Sequence, residues 1–169
     1  MERPAETDPA ELPFIDTHEI DIAARPEGCW LVLTAVVGGG LAGRPARAFA
    51  AALGCADRSA LGSRDEPGST LAGFHVAYAE PPWRWRLAGA HRFSRYSLEF
   101  RLVELAPDRT RLSAESRAVF PGWHGAAYRT VVVGSRGHRV AVRRMLQSVK
   151  RVAETEAARA DGTARPIEG

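Results

Sequence analysis

Cysteine is scarce in this sequence of 169 residues, which contains only Cys29 and Cys55. The two thiols do not form a CxxC pair, and no cysteine or histidine group shows the short spacing of a zinc site. We therefore expect two buried free thiols in a reducing compartment, with neither a disulfide framework nor a metal centre.

Long hydrophobic runs are absent too. The most apolar stretch, residues 29–43, is shorter than the roughly 20 residues that a membrane helix needs, and three consecutive glycines at 38–40 interrupt it. The N-terminus lacks the basic start and apolar run of a signal peptide. We therefore expect a cytoplasmic protein without integral membrane segments.

Lysine is almost missing, because Lys150 is the single lysine beside 22 arginines. The net charge is only +3, and acidic residues are interleaved with the arginines along the chain. A nucleic-acid-binding face requires basic residues clustered on one element. We therefore expect no nucleic-acid partner, and we attribute the arginines to a genome rich in G and C.

Two families of catalytic motif are missing as well. The glycines at 38–40 and Gly43 complete neither GxGxxG nor a P-loop, since no Gly-Lys-Ser/Thr follows them. No GxSxG nucleophile elbow occurs either. We therefore expect no nucleotide and no other cofactor, and we disfavour a serine hydrolase.

The composition that remains is typical of one globular domain, with 45% hydrophobic and 25% charged residues. We predict a single domain over residues 14–156. Residues 1–13 are rich in proline and acids, and residues 157–169 are small and polar without a hydrophobic period, so both are predicted to be disordered tails.

The hydrophobic pattern predicts the order of the elements. Residues 14–24 alternate as a half-buried strand, a short helix from Pro26 ends at the triple glycine, and a second helix covers 45–53 before Gly54. Residues 70–120 contain four segments of period two, typical of an antiparallel meander with one aromatic and one charged face. From about 125 to 156, apolar residues recur at steps of three and four, which predicts a long helix.

These elements predict an α+β fold. The strands do not alternate with helices, so a doubly wound sheet is disfavoured. The aromatic face of the meander must be buried against the long C-terminal helix. We therefore expect a curved antiparallel sheet wrapped around that helix, with an internal apolar cavity between them.

The chain resembles the START-like, or Bet v 1-like (SRPBCC), superfamily, which includes polyketide cyclases and dehydrases, lipid-transfer domains and many bacterial proteins. The resemblance lies in the strand 15–22 followed by RPEGCW at 25–30, in GAHRFSRY at 89–96, and in the helix over 128–152. It implies a helix-grip fold whose cavity binds lipids, hormones or polyketides, or catalyses cyclisation, dehydration or condensation. The superfamily has no universal catalytic residue, and its usual strands are hard to find over 38–70.

Three histidines fall on predicted inward faces, namely His18, His91 and His138. An imidazole titrates near neutrality and can act as a general acid or base, whereas the alternative for each is a hydrogen-bonded core histidine. Our candidate catalytic residues are His138, His91 and Tyr96. His138 is preferred because its predicted helix stripe is otherwise an apolar wall.

The remaining inward residues are candidates for ligand contact, with plain core packing as the alternative. They are Tyr78, Trp83, Trp85, Leu87, Leu98, Phe100, Ser116, Phe120, Tyr128, Val131, Ser135, Val142 and Met145.

The sequence leaves three functions open. The first is binding of a small hydrophobic ligand that is lipid-like, polyketide-like or aromatic. The second is an enzyme of the polyketide cyclase or dehydrase type that uses an inward histidine. The third is an interaction protein that forms a homodimer.

Overall fold

A computed structural model describes residues 8–122 and 137–163. Its elements are a 3-10 turn (Pro9–Glu11), strand β1 (Phe14–Ile22), helices α1 (Pro26–Ala42) and α2 (Arg44–Leu53), strands β2 (Thr70–Leu71), β3 (Phe74–Glu80), β4 (Arg84–His91), β5 (Ser94–Ala106) and β6 (Arg109–Val119), and helix α3 (Gly137–Thr163).

The six strands form one antiparallel sheet in the order β1-β6-β5-β4-β3-β2. Strands β2 to β6 are sequential neighbours, so they form the predicted meander, and β1 joins it at the edge beside β6. Helices α1 and α3 pack on the inner face of this curved sheet. The predicted α+β class and helix-grip arrangement are confirmed.

Helix α1 runs through the three glycines that we expected to end it. Proline lies in its first turn, where the missing N–H costs nothing. Glycine inside a helix costs up to about 1 kcal/mol relative to alanine. Burial of Trp30, Leu33 and Val37 offsets that cost, and the side chain of Arg64 packs where a Cβ on Gly38 would lie. Helix α2 does end as predicted, at Gly54 with φ of 70°.

The main core fills one half of the inner face of the sheet. Trp85 and Phe100 on neighbouring strands stack with ring centroids 5.6 Å apart, and both are fully buried. Helices α1 and α3 cover them with Leu33 and Val149 among others. Each such buried side chain stabilises the fold by about 1.5–3 kcal/mol. In this half of the sheet, packed side chains from α1 and α3 therefore cover the inner face.

A bulge in β3 reverses the expected facing of one tyrosine. The register shifts between Val76 and Tyr78, so Val76 faces the core whereas Tyr78 lies on the opposite face and is exposed. The Tyr78 hydroxyl donates to Glu80 there. Trp83 was also predicted to face inward, but it lies in the β3–β4 turn, before β4 begins, and is exposed.

Regular secondary structure extends beyond both ends of the predicted domain, residues 14–156. The segment 8–13 contacts the sheet through Ser97, whose hydroxyl donates to the Pro9 carbonyl oxygen at 2.8 Å, and through Leu12, which is buried. Helix α3 continues to Thr163. The other residues of the predicted tails, 1–7 and 164–169, lie outside the described residues.

Within the described ranges, no single helix has both the length and the apolar character to cross a membrane. Helices α1 and α2 satisfy those two criteria only when they are taken together, and they are bent by 59° relative to each other. Helix α1 buries Cys29, Trp30 and Leu33 in the main core.

Candidate functional site

A cavity of about 290 Å³ lies at the other half of the sheet, between its inner face and α2. Helix α2 contributes Ala46, Phe49, Ala50 and Leu53, which share one face because their spacing is i, i+3, i+4 and i+7. A small cluster of its own, formed by Ala50, Cys55 and Ala72, holds α2 in place apart from the main core.

The walls of the cavity are mainly apolar. The apolar contributions from the rest of the chain are Ile15, Leu41, Ala72, Phe74, Leu98, Ala118 and Phe120. The volume lies just below the range of about 300–1,000 Å³ that is typical of small-molecule sites. Polar side chains also enter the wall, among them Ser94, Ser97 and Arg117, and two groups of them include candidate site residues.

The first group is the Asp16 cluster, which consists of Asp16, His18, Ser116 and His138. The Nε2 atom of His138 lies 2.9 Å from Ser116 Oγ and 3.5 Å from Asp16 Oδ1. The Nε2 atom of His18 lies 3.5 Å from the other carboxylate oxygen, Oδ2. His138 and Ser116 line the cavity, whereas the Asp16 carboxylate is buried behind them at 8% exposure.

The second group is the Tyr96 cluster, which consists of Tyr96, Gly73, Cys55 and His91. The Tyr96 hydroxyl donates to the Gly73 carbonyl oxygen at 2.7 Å and lies 3.8 Å from Cys55 Sγ. The His91 ring is 5.5 Å from the Tyr96 ring. Burial, followed by the charge of Arg92, lowers the pKa of His91 below its ordinary value, which favours the neutral imidazole.

The structure brings six of the sixteen predicted site residues to the cavity. They are His91, Tyr96, Leu98, Ser116, Phe120 and His138. All six lie near one end of the meander or at the start of α3.

Seven of the other ten predicted site residues lie elsewhere, and the remaining three are not described. The main core contains Trp85, Leu87, Phe100, Val142 and Met145, because α1 and α3 together close that half of the sheet. Tyr78 and Trp83 are exposed for the reasons given above. Tyr128, Val131 and Ser135 fall outside the described residues.

Sequence reasoning missed two parts of the site. The apolar face of α2 was readable from the spacing of Ala46, Phe49, Ala50 and Leu53, but the helix was not assigned to the cavity. Asp16 was visible as a polar residue on the inner side of β1. Its proximity to His138 depends on how α3 crosses the sheet, which local pattern does not determine.

The three inward histidines do not converge. His91 belongs to the Tyr96 cluster, whereas His18 and His138 lie on either side of Asp16. Across residues 8–122 and 137–163, no group of three or more histidine, cysteine or acidic side chains is arranged to hold a metal ion.

No family model matches the chain, and no curated protein matches it. Several solved structures do. Protein MLL2253 from Mesorhizobium loti is 15% identical, with a TM-score of 0.53 over 83% of this chain and 98% of that one. A point mutant of norcoclaurine synthase from Thalictrum flavum, in complex with a transition-state analogue, is 12% identical, with a TM-score of 0.54 over 83% and 94%. The chain has the Bet v 1-like fold.

The likeness to proteins of the Bet v 1-like fold concerns architecture alone, because these identities are low. A further structure of norcoclaurine synthase, in complex with dopamine and hydroxybenzaldehyde, is 13% identical and has a TM-score of 0.50 over 90% of this chain and 93% of that one. This chain shares the sheet and the C-terminal helix with these structures. The Asp16 and Tyr96 clusters are features of this chain, and the comparisons say nothing about them.

Proposed function

We propose that this chain binds a small hydrophobic molecule in the cavity between the sheet and α2. The observation that carries the proposal is an apolar cavity of about 290 Å³ whose wall contains two separate polar clusters. Apolar walls supply affinity, and a few fixed polar groups orient the ligand.

The cavity favours a compact, ring-containing ligand over a long acyl chain. Its volume is small for this kind of site, and Phe74 meets Tyr96 edge to face at 5.1 Å, which presents rigid aromatic surface. The complex of norcoclaurine synthase with dopamine and hydroxybenzaldehyde supports the same size class. We infer an aromatic or polyketide-like ligand.

Filling the cavity should abolish binding. Leu98 lines it from β5, so Leu98→Trp places an indole in the space that the ligand needs. We expect binding of the neutral fluorescent probe N-phenyl-1-naphthylamine to weaken by about tenfold or more, which corresponds to about 1.4 kcal/mol. A fluorescence titration of the purified protein measures this.

The same strand offers a matched control. Leu105 lies on β5 as well, but it is exposed and outside the cavity. Leu105→Trp should bind the probe as the wild type does. Equal affinity in all three proteins, with circular dichroism showing that each is folded, would mean that the probe binds elsewhere and that the proposal fails.

Catalysis is a second candidate function, and the Asp16 cluster favours it. His138 lies in the cavity wall with Ser116 and a buried carboxylate next to its Nε2 atom. Such an imidazole can remove the proton next to a ketone and then give that proton to the β-hydroxyl group, which leaves as water as the carbon–carbon double bond forms. This is the dehydrase reaction that we expected as the alternative from sequence.

Replacing His138 separates the two candidate functions. If the chain is a dehydrase, His138→Ala should slow conversion of 4-hydroxy-4-phenylbutan-2-one to the conjugated enone by about 100-fold, with probe affinity nearly unchanged. If it is a binding protein, neither variant nor wild type accelerates the reaction over buffer. The enone absorbance gives the rate, and His75→Ala, at a partly exposed histidine outside the cavity, is the control.

The cytoplasmic location and the homodimer stay predictions, and so does a bacterial source, which the resemblance to many bacterial proteins implies. Analytical ultracentrifugation over a range of protein concentrations tests the homodimer directly.

A further inference from the structure

The surroundings of the His138 ring indicate which of its two nitrogen atoms carries the proton in the neutral imidazole. Two oxygen atoms, Ser116 Oγ at 2.9 Å and Asp16 Oδ1 at 3.5 Å, lie near the same ring nitrogen, Nε2. A carboxylate attracts an N–H group and repels a nitrogen lone pair. The hydrogen-bonding environment of one ring nitrogen determines which nitrogen of a neutral imidazole carries the proton. The arrangement therefore favours the tautomer with hydrogen on Nε2.

The surroundings of the carboxylate strengthen this argument. Asp16 is buried, and its Oδ1 atom has no hydrogen-bond partner among the described residues. The groups that face it are His138, Ser116, His18 and the guanidinium of Arg139, which is 3.8 Å from Oδ2 on a half-exposed side chain. A buried carboxylate requires compensation from nearby donors. An N–H on each flanking imidazole, 3.5 Å from the carboxylate, compensates the charge electrostatically, without a hydrogen bond.

We propose that Asp16 is a positioning residue that holds His138 in the Nε2–H tautomer, so that His138 meets a ligand through the Nδ1 lone pair. A second step rests on the proposed function. A lone pair on Nδ1 accepts a hydrogen bond, so the ligand of the cavity carries an O–H donor, such as a phenol. His91 offers no comparable lone pair, since its Nδ1 atom already accepts from the Phe93 amide.

The tautomer can be measured without any ligand. Long-range proton–nitrogen correlation spectra of ¹⁵N-labelled protein distinguish the two neutral forms of each histidine. We expect His138 as Nε2–H in the wild type and a shift toward Nδ1–H in Asp16→Asn, whose amide can donate to Nε2. His75, paired with Asp57 away from the cluster, is the internal control. An unchanged tautomer in folded Asp16→Asn would overturn the role of Asp16.

Ser116 gives a second, independent variant. Ser116→Ala removes the nearer oxygen but leaves the carboxylate, so the Nε2–H form of His138 should persist. Loss of that form in Ser116→Ala would assign the effect to the hydroxyl and overturn the proposal, even if Asp16→Asn proved too unstable to examine.

The ligand class is tested with two matched compounds, 2-naphthol and 2-methoxynaphthalene, in competition with N-phenyl-1-naphthylamine. We expect the wild type to prefer 2-naphthol by about fivefold, the value of one net hydrogen bond, and Asp16→Asn to lose that preference. Equal affinity of the wild type for both compounds would overturn the O–H donor. If neither compound nor the probe binds while the tautomers are as expected, the role of Asp16 stands and the proposed function fails.

Discussion

Replacing Glu99 by glutamine is expected to lower the free energy of unfolding by about 3 kcal/mol, since removing one partner of a buried ion pair leaves the other charges uncompensated. Glu99 lies on the outer face of β5, and its side chain is only 7% exposed. Three guanidinium groups donate to its carboxylate, from Arg84 at 2.9 Å and from Arg86 and Arg101. Urea unfolding at pH 7 measures the loss.

The interaction of Glu99 with the three arginines should also make the free energy of unfolding depend on pH. Burial by itself raises the pKa of Glu99, but hydrogen bonds from Arg84, Arg101 and Arg86 outweigh burial and hold that pKa below its usual value. A lowered pKa in the folded state stabilises the protein above the unfolded value of about 4.3, and that contribution is lost as the pH falls through the folded value. Below about pH 4.3, the wild type should therefore lose stability more steeply than Glu99→Gln.

Glu115 offers the control on the neighbouring strand. It lies directly opposite Glu99 in the β5–β6 register, but its side chain is 24% exposed and, among the described residues, pairs with Arg117 alone. Pairs of this kind contribute about 0–1 kcal/mol. Glu115→Gln should therefore cost less than 1 kcal/mol. Equal losses for the two substitutions would show that the arginines around Glu99 do not depend on its charge.

Replacing Gly89 by alanine is expected to cost about 3 kcal/mol, at the upper end of what overpacking typically costs. A Cβ at this position would collide with the Gly73 carbonyl oxygen and would lie 2.7 and 2.9 Å from two ring atoms of Tyr96. The carbonyl belongs to the backbone and accepts the Tyr96 hydrogen bond, so it cannot move alone. We expect a lower midpoint of thermal unfolding together with weaker probe binding, since Tyr96 lines the cavity.

A glycine in open surroundings gives the comparison for this substitution. A Cβ on Gly39 in α1 would meet nothing within 4 Å. Gly39→Ala should therefore be neutral or should stabilise the protein by up to about 1 kcal/mol, through helix propensity. If Gly89→Ala is as stable as Gly39→Ala, the contact between β4, Tyr96 and Gly73 does not constrain the fold.

Much of the fold was predictable from local pattern. Alternation over residues 70–120 depends only on which side of a strand each residue faces, so it predicted the meander. Glycine with positive φ ended α2 as expected at Gly54. The continuation of α1 through the triple glycine was not predictable from propensity, because packing of Trp30 and Leu33 outweighs it.

The location of the cavity was only partly predictable. Alternation identified His91, Tyr96, Leu98 and Ser116 as inward residues, but it identified Trp85 equally well. What separates them is which half of the sheet α1 and α3 cover, and that is a tertiary property. A single extra residue in β3 also moved Tyr78 to the outer face, and no local pattern marks that bulge.

The separate packing of α2 has a consequence for ligand exchange. This helix is held by its own small cluster, and Arg92 donates to the carbonyl oxygens of Ala52 and Leu53 at its last turn. A local opening reaction breaks only the contacts that it separates, so displacing α2 requires less free energy than global unfolding. On the proposed function, the residence time of a bound molecule and the lifetime of the folded state should therefore be governed by different sets of contacts, and we expect substitutions in α2 to change the first without the second.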